Sequence, residues 1–276
     1  MIAQKDAVAK LLKEGDPDTV RLVKEQLFRG GEDNVIDLEM LVTLGDAAVS
    51  KHARDVLSAI HAQDSDMDFE LFCRFFSDCC DVEPALWLLG SAIDPETESR
   101  PFQNKIEQWG RQFSVRTANA VSSRERVLAL SEFLAGDLCF RGNSEHYYCA
   151  KNSLLPKVIE SRTGLPISLV MIYRMVGLRA GMLVDGINLP GHFIARHEDV
   201  IFDPFHKGRI LTKKDCEDIL AKQHRKLKAS HLLPATPRQT LVRVLANLLF
   251  VYDLTGDCDL HEKVTHWLSL LCCDSR

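Results

Sequence analysis

The chain has 276 residues, 46% of them hydrophobic and 26% charged, enough for a sizeable core and unlike a disordered segment or a disulfide-stapled miniprotein. Lys and Arg total 34 against 39 Asp and Glu, and the net charge of −5 leaves no basic footprint for nucleic acid or an anionic membrane surface. No apolar run reaches the ~20 residues of a membrane-spanning helix, and Lys5 and Asp6 stand where a signal peptide needs its apolar stretch, so a cytoplasmic protein is expected.

The first sixty residues read as helices. Ala7, Val8, Leu11 and Leu12 recur at helical spacing, as do Val20, Val23 and Leu27 after the Gly15-Asp16-Pro17 break. Thirty residues on, Gly45-Asp46 repeats Gly15-Asp16, and Lys51, Arg54 and Leu57 match Arg21, Lys24 and Leu27. This suggests a HEAT-like helical module over residues 1–62, although a coincidental pair of antiparallel helices fits as well. The polar stretch Gln63 to Asp68 reads as its boundary, and Asp94 to Pro101 as a connector. Helices are predicted over 102–120 and 122–138, the latter capped by Ser122 or Ser123 with Glu125 in a capping box.

After Asn143 the pattern changes. Residues 152–160 and 166–180 read as two helices, followed by three short strands over 183–189, 193–197 and 200–202. Thr212 caps a helix over 213–222, and a final hairpin pairs residues 237–254 with 257–271 around Gly256. The predicted class is α+β, mostly helical with a small antiparallel sheet. Nine cysteines, odd in number and without a C-x-x-C, point to reduced and mostly buried thiols, with Cys139 expected in the core.

Phe140-Arg141-Gly142-Asn143, Tyr147-Tyr148, Asn152-Ser153 and Arg162-Thr163-Gly164-Leu165-Pro166-Ile167-Ser168 come in that order. Leu189-Pro190-Gly191-His192-Phe193 and Phe202-Asp203-Pro204-Phe205 follow. Together these motifs resemble the SirB-type bacterial family of transglutaminase-like proteins, over roughly residues 80 to 273. Arg238, Leu241, Arg243, Leu245 and Asn247 are similar to the helical, tetratricopeptide-like tail of that family. The resemblance implies a transglutaminase-like, papain-like core over 80–230 and a helical hairpin over 231–276. It also implies binding roles for Asn152, Ser153, Arg162, Gly191 and Phe205.

Catalytic relatives use a thiolate at a helix N-terminus, a His on a facing strand and an Asp on the next. His192 and Asp203, eleven residues apart across a hairpin, fill the last two positions. At the first stands Pro166, which starts a helix well and attacks nothing. Ser168 reads as a first-turn serine satisfying the backbone. Cys149 is the alternative nucleophile, set before the predicted helix at Asn152, and the bland reading makes it a structural thiol. His197 and His206 raise the question of a metal, but His192 and His197 are an odd number of residues apart and point to opposite strand faces. An imidazole–carboxylate pair is preferred, with no metal and no cofactor expected. His192 is then either a ligand-binding residue or a half-buried brace for the hairpin.

Two functions follow. One is a non-catalytic transglutaminase-like module that binds a protein or peptide partner. The other is a thiol-dependent hydrolase or acyltransferase using Cys149 with His192 and Asp203. A role in transcription, suggested only by the family name, finds no support in the charge.

Overall fold

A computed structural model describes residues 5–117, 120 and 122–272, so that Cys273 lies outside the described residues. The chain divides into two compact units, residues 1–68 with 91–96, and residues 69–90 with 97–276.

In the first unit α1 (Lys5–Glu14), α2 (Pro17–Arg29), α3 (Val35–Leu44) and most of α4 (Ala47–Arg74) form a helical layer. The repeated Gly-Asp pairs do the same work twice. Gly15 and Gly45 each donate a backbone N–H to the carbonyl four residues back, closing one helix. Asp16 then accepts from the backbone N–H groups of Asp18 and Thr19, and Asp46 from those of Ala48 and Val49, opening the next. Leu27 and Leu57, matched in the repeat, are buried in one core with Leu12, Leu38 and Ile60. The expected boundary at Gln63 to Asp68 coincides with the end of the first unit at Asp68, yet the helix does not break there: α4 runs through it without interruption. The stretch contains no Gly or Pro, and polar side chains on a solvated face leave a helix intact.

The second unit is α+β and mostly helical. It holds α5 (Val82–Ile93, through Gly90), α6 (Arg100–Arg116) and α7 (Ser123–Ser131), which passes into a π-helical turn over Glu132–Asp137. Ser122 caps α7 in the expected capping box with Glu125. Next come β1 (Arg141–Gly142), α8 (Leu155–Ser161), β2 (Thr163–Gly164) and α9 (Pro166–Arg179). β1 and β2 make a two-residue parallel ladder that the sequence reading missed. The main sheet is antiparallel in the order β3 (Asp185–Leu189), β4 (His192–His197), β5 (Val200–Asp203), β6 (Arg209–Ile210). Then follow α10 (Lys213–Ala221), α11 (Pro237–Thr255) and α12 (Cys258–Cys272). Among the described residues, no helix is long and apolar enough to cross a membrane.

The sheet is covered on both faces. Ile187, Leu189 and Ile194 pack with Cys216 and Leu220 of α10. From the other face, Phe202 meets Tyr173 of α9, and Gly186 gives room to the Phe193 ring and Met171. Double burial explains why β4 shows no clean alternation.

The thiols are less buried than expected. Cys73 and Cys216 are buried and Cys149 half-buried, but Cys79, Cys80, Cys139, Cys258 and Cys272 are exposed. Cys139 takes a positive φ of 60° just after the π turn, and that reversal sends Phe140 into the core and the thiol outward. Phe202 is fully buried at the centre of the sheet. Phe202→Ala is expected to cost about 3–5 kcal/mol, read as an earlier urea midpoint by circular dichroism.

Candidate functional site

The site forms where β4 begins and β5 ends. Pro190 and Gly191 make the turn from β3 to β4, with Leu189 paired to His192 and Gly191 at a positive φ of 80°. In β4 and β5, Ala195 pairs with Phe202, so one further step sets Ile194 opposite Asp203. His192 is two residues from Ile194, on the same face, and so diagonal to Asp203. The diagonal is closed by a hydrogen bond of 2.7 Å from His192 Nε2 to Asp203 Oδ2.

Asp203 also caps the short 3-10 turn Pro204–His206, its Oδ1 accepting from the Phe205 backbone N–H at 3.0 Å. The turn brings His206 Nδ1 to 2.7 Å from the same Oδ2. One buried carboxylate thus receives two imidazoles and a backbone amide. Burial pulls its pKa upward, but the hydrogen bonds and charges of His192 and His206 outweigh burial and hold it below the ordinary value. An ionised carboxylate only accepts, so His192 bears a proton on Nε2 and His206 on Nδ1. In the neutral His192 ring, Nδ1 is left as the basic nitrogen.

Two spaces adjoin the His192 ring. One is a cleft of about 410 Å³ between the hairpin and α10, lined by Gly191, His192, Asp203, His206, Arg209 and Asp215 among others. The other is a slot of about 10 Å³, room for about one water, bounded by Tyr147, Pro166, Ile167, Arg243 and Asn247. Pro166 is the first residue of α9 and forms one wall of this slot. Burial pushes the Tyr147 phenol up, with Arg243 partly offsetting it.

Cys149 lines neither space and lies near the Tyr252 phenol instead. It precedes a four-residue 3-10 turn, Ala150–Ser153, and the helix expected from Asn152 follows as α8, which starts only at Leu155 with Pro156 in its first turn. Ser168 donates its hydroxyl to the Asn152 carbonyl at 2.7 Å, as a first-turn serine tied to the backbone.

The other expected site residues separate into two groups. Gly191 and Phe205 adjoin His192, the Phe205 ring edge-on to it at 6.1 Å. Asn152, Ser153 and Arg162 line neither of the two spaces at His192. Buried Asn152 donates to the carbonyls of His146 and Tyr147 and accepts from Asn143. Ser153 is buried, and Arg162 lies over the Trp109 and Phe140 rings at 4.5 and 4.9 Å. His197 points its Nδ1 to the Leu183 carbonyl, away from the others. The alternation argument therefore removes His197 but not His206, which the sequence reading left unplaced. Its signal was the spacing Asp203-Pro204-Phe205-His206, an Asp-capped turn that folds the third residue back.

This chain belongs to the transglutaminase-like superfamily: residues 100–246, more than half of its length, match that family. A UPF0162 protein of Xylella fastidiosa is 37% identical over 145 residues, 49% of this chain and 51% of that protein. A UPF0162 protein of Pseudomonas aeruginosa is 26% identical over 199 residues, covering 65% and 70%. F-box only protein 21 of Mus musculus is 32% identical over 133 residues, 44% of this chain and 21% of that protein. The chain thus spans about half the length of the Xylella relative. No solved structure matches it.

Two outcomes test the site. Because folded Asp203 ionises below the ordinary 3.8, the unfolded chain binds more protons between the two values. The stabilisation is complete above that window and is lost as pH falls through it. Asp203→Asn is expected to flatten this acid limb, measured by urea unfolding between about pH 3 and 7. Gly142 has the Phe205 ring 2.5 Å from where a Cβ would stand. Gly142→Ala is expected to cost about 1–3 kcal/mol by overpacking, seen as a lower Tm.

Proposed function

We propose that this protein is a non-catalytic transglutaminase-like module of the SirB type, which binds a protein or peptide. The observation that carries the reading is Pro166, a buried proline beside His192 where a catalytic relative would carry its thiol. The slot between them has about 10 Å³, room for about one water. The His192–Asp203 pair is intact at 2.7 Å and has no thiol in either adjoining space among the described residues. Such a pair orients an imidazole whether or not a nucleophile faces it.

In this reading residues 1–62 are a HEAT-like module, residues 80–230 the transglutaminase-like domain and residues 231–276 a tetratricopeptide-like hairpin. A partner surface is offered by α11, where Phe250 and Leu254 are exposed on the same helix as Arg243 and Asn247, with Tyr148 against Phe250 at 5.2 Å. The same domain occurs within the much longer F-box only protein 21, consistent with a portable module.

The test is activity of the full chain on a glutamine-containing peptide, with an amine acceptor and with water. No turnover above the blank is expected, and His192→Ala is expected to leave that result unchanged. Turnover that disappears in Cys149→Ser would overturn the proposal. A second arm places the missing group: Pro166→Cys sets a thiol at a helix N-terminus beside an imidazole. Its thiolate, read by ultraviolet absorbance, is expected to appear at lower pH than any thiolate signal of the parent chain.

A further inference from the structure

His192, Asp203 and His206 form a ligand set that the paired-residue reading does not use. Their donor atoms lie within 4.8 Å of one another, on the wall of the 410 Å³ cleft. We infer that these three side chains make a binding site for one divalent first-row metal ion, of which Zn²⁺ is the natural representative.

The donor set carries the argument. Two imidazole nitrogens and one carboxylate oxygen are the ligands of borderline metals such as Zn²⁺, Co²⁺ and Fe²⁺. Three protein donors leave at least one coordination position open, and here all three side chains line the cleft. Around a tetrahedral ion with bonds of about 2.0–2.1 Å, neighbouring donors stand roughly 3.4 Å apart. Asp203 Oδ2 is now 2.7 Å from each imidazole nitrogen, so both rings must withdraw from it by well under an ångström, while the two nitrogens, within 4.8 Å of one another, settle to the same spacing. His206 is free to do so: its side chain is 62% exposed and sits on a short turn. Asp203 stays fixed, because Oδ1 is held by the Phe205 amide.

Each neutral ring carries one proton, now on the nitrogen facing Asp203, and shifting it to the other nitrogen bares the donor. The surrounding charge also suits a cation. Asp203, Asp215 and Asp218 set three carboxylates against Arg209 and Lys222, leaving the cleft one negative charge in excess with neutral histidines. Arg209 is itself paired to Asp215 at 2.5 Å. The inference goes beyond the proposed function and is independent of whether the module has a peptide partner.

The experiment uses the full chain, stripped with a chelator and titrated with Co²⁺ alone, then with Zn²⁺ in competition. Visible d–d absorption of a low-coordinate Co²⁺ site is expected to saturate at one ion per chain and to be displaced by Zn²⁺. Zn²⁺ is also expected to raise the Tm. His206→Ala, at an exposed position, is expected to weaken binding by roughly tenfold or more and to remove the Zn²⁺-induced rise above that variant's own metal-free Tm. His266→Ala, at an exposed histidine of α12 outside the cluster, is expected to change neither. Failure to reach one equivalent, or equal affinity in wild type and His206→Ala, would overturn the site. So would equal losses from His206→Ala and His266→Ala, the mark of adventitious surface histidines. None of these readouts depends on turnover, so a failure here is distinct from a failure of the proposed function.

Discussion

The buried carboxylate of Asp203 is the constraint to which the site is built. An unpaired carboxylate at this depth carries a desolvation cost of several kcal/mol, so the chain must bring donors to it. It does so from three directions: a strand that starts at His192, a turn that returns His206, and the backbone amide of Phe205. Each arrival fixes a local feature. The hairpin must turn at Pro190-Gly191, and β5 must end in an Asp-Pro turn. Gly142 must lack a side chain so that Phe205 can lie where the turn puts it.

The start of α9 is tied down with similar economy. The Asn152 carbonyl accepts from both the Leu165 amide and the Ser168 hydroxyl, while the Asn152 side chain gathers the loop from Asn143 to Tyr147. In a catalytic relative this helix end presents a nucleophile, and rigidity there positions it. Here the same rigidity presents Pro166 to His192 and leaves the slot closed. His192 is bonded to Asp203 on one side, Pro166 borders it on another, and its open side is the cleft toward α10.

What was legible in the sequence was local and repeated. The Gly-Asp pairs announced their caps, Ser122 and Thr212 theirs, and the eleven-residue spacing of His192 and Asp203 was the signature of a hairpin diagonal. What was not legible depends on backbone turns or on who covers which face. His206 reaches Asp203 only through a capped turn, and Cys139 is expelled by a single positive φ. Composition placed the end of the first unit in the polar stretch 63–68, but not the continuity of helix α4 through it. The two-residue strands β1 and β2 and the edge strand β6 are too short to leave a periodicity. The sheet's alternation is erased because α9 covers one face and α10 the other.

The positions of the three tryptophans give the molecule an optical character. Trp109 has Arg162 over one ring face and the edge of Phe140 nearby, Trp87 donates its indole N–H to Glu83, and Trp267 packs on Phe69. All three are buried, and none borders the cleft or the slot at His192. Indole emission therefore reports the integrity of the helical scaffold and is nearly blind to what enters the cleft. The chromophores that do adjoin His192 are Phe193, Phe205 and Tyr147, all weaker emitters than indole, so occupancy there is written in imidazole proton resonances and not in fluorescence.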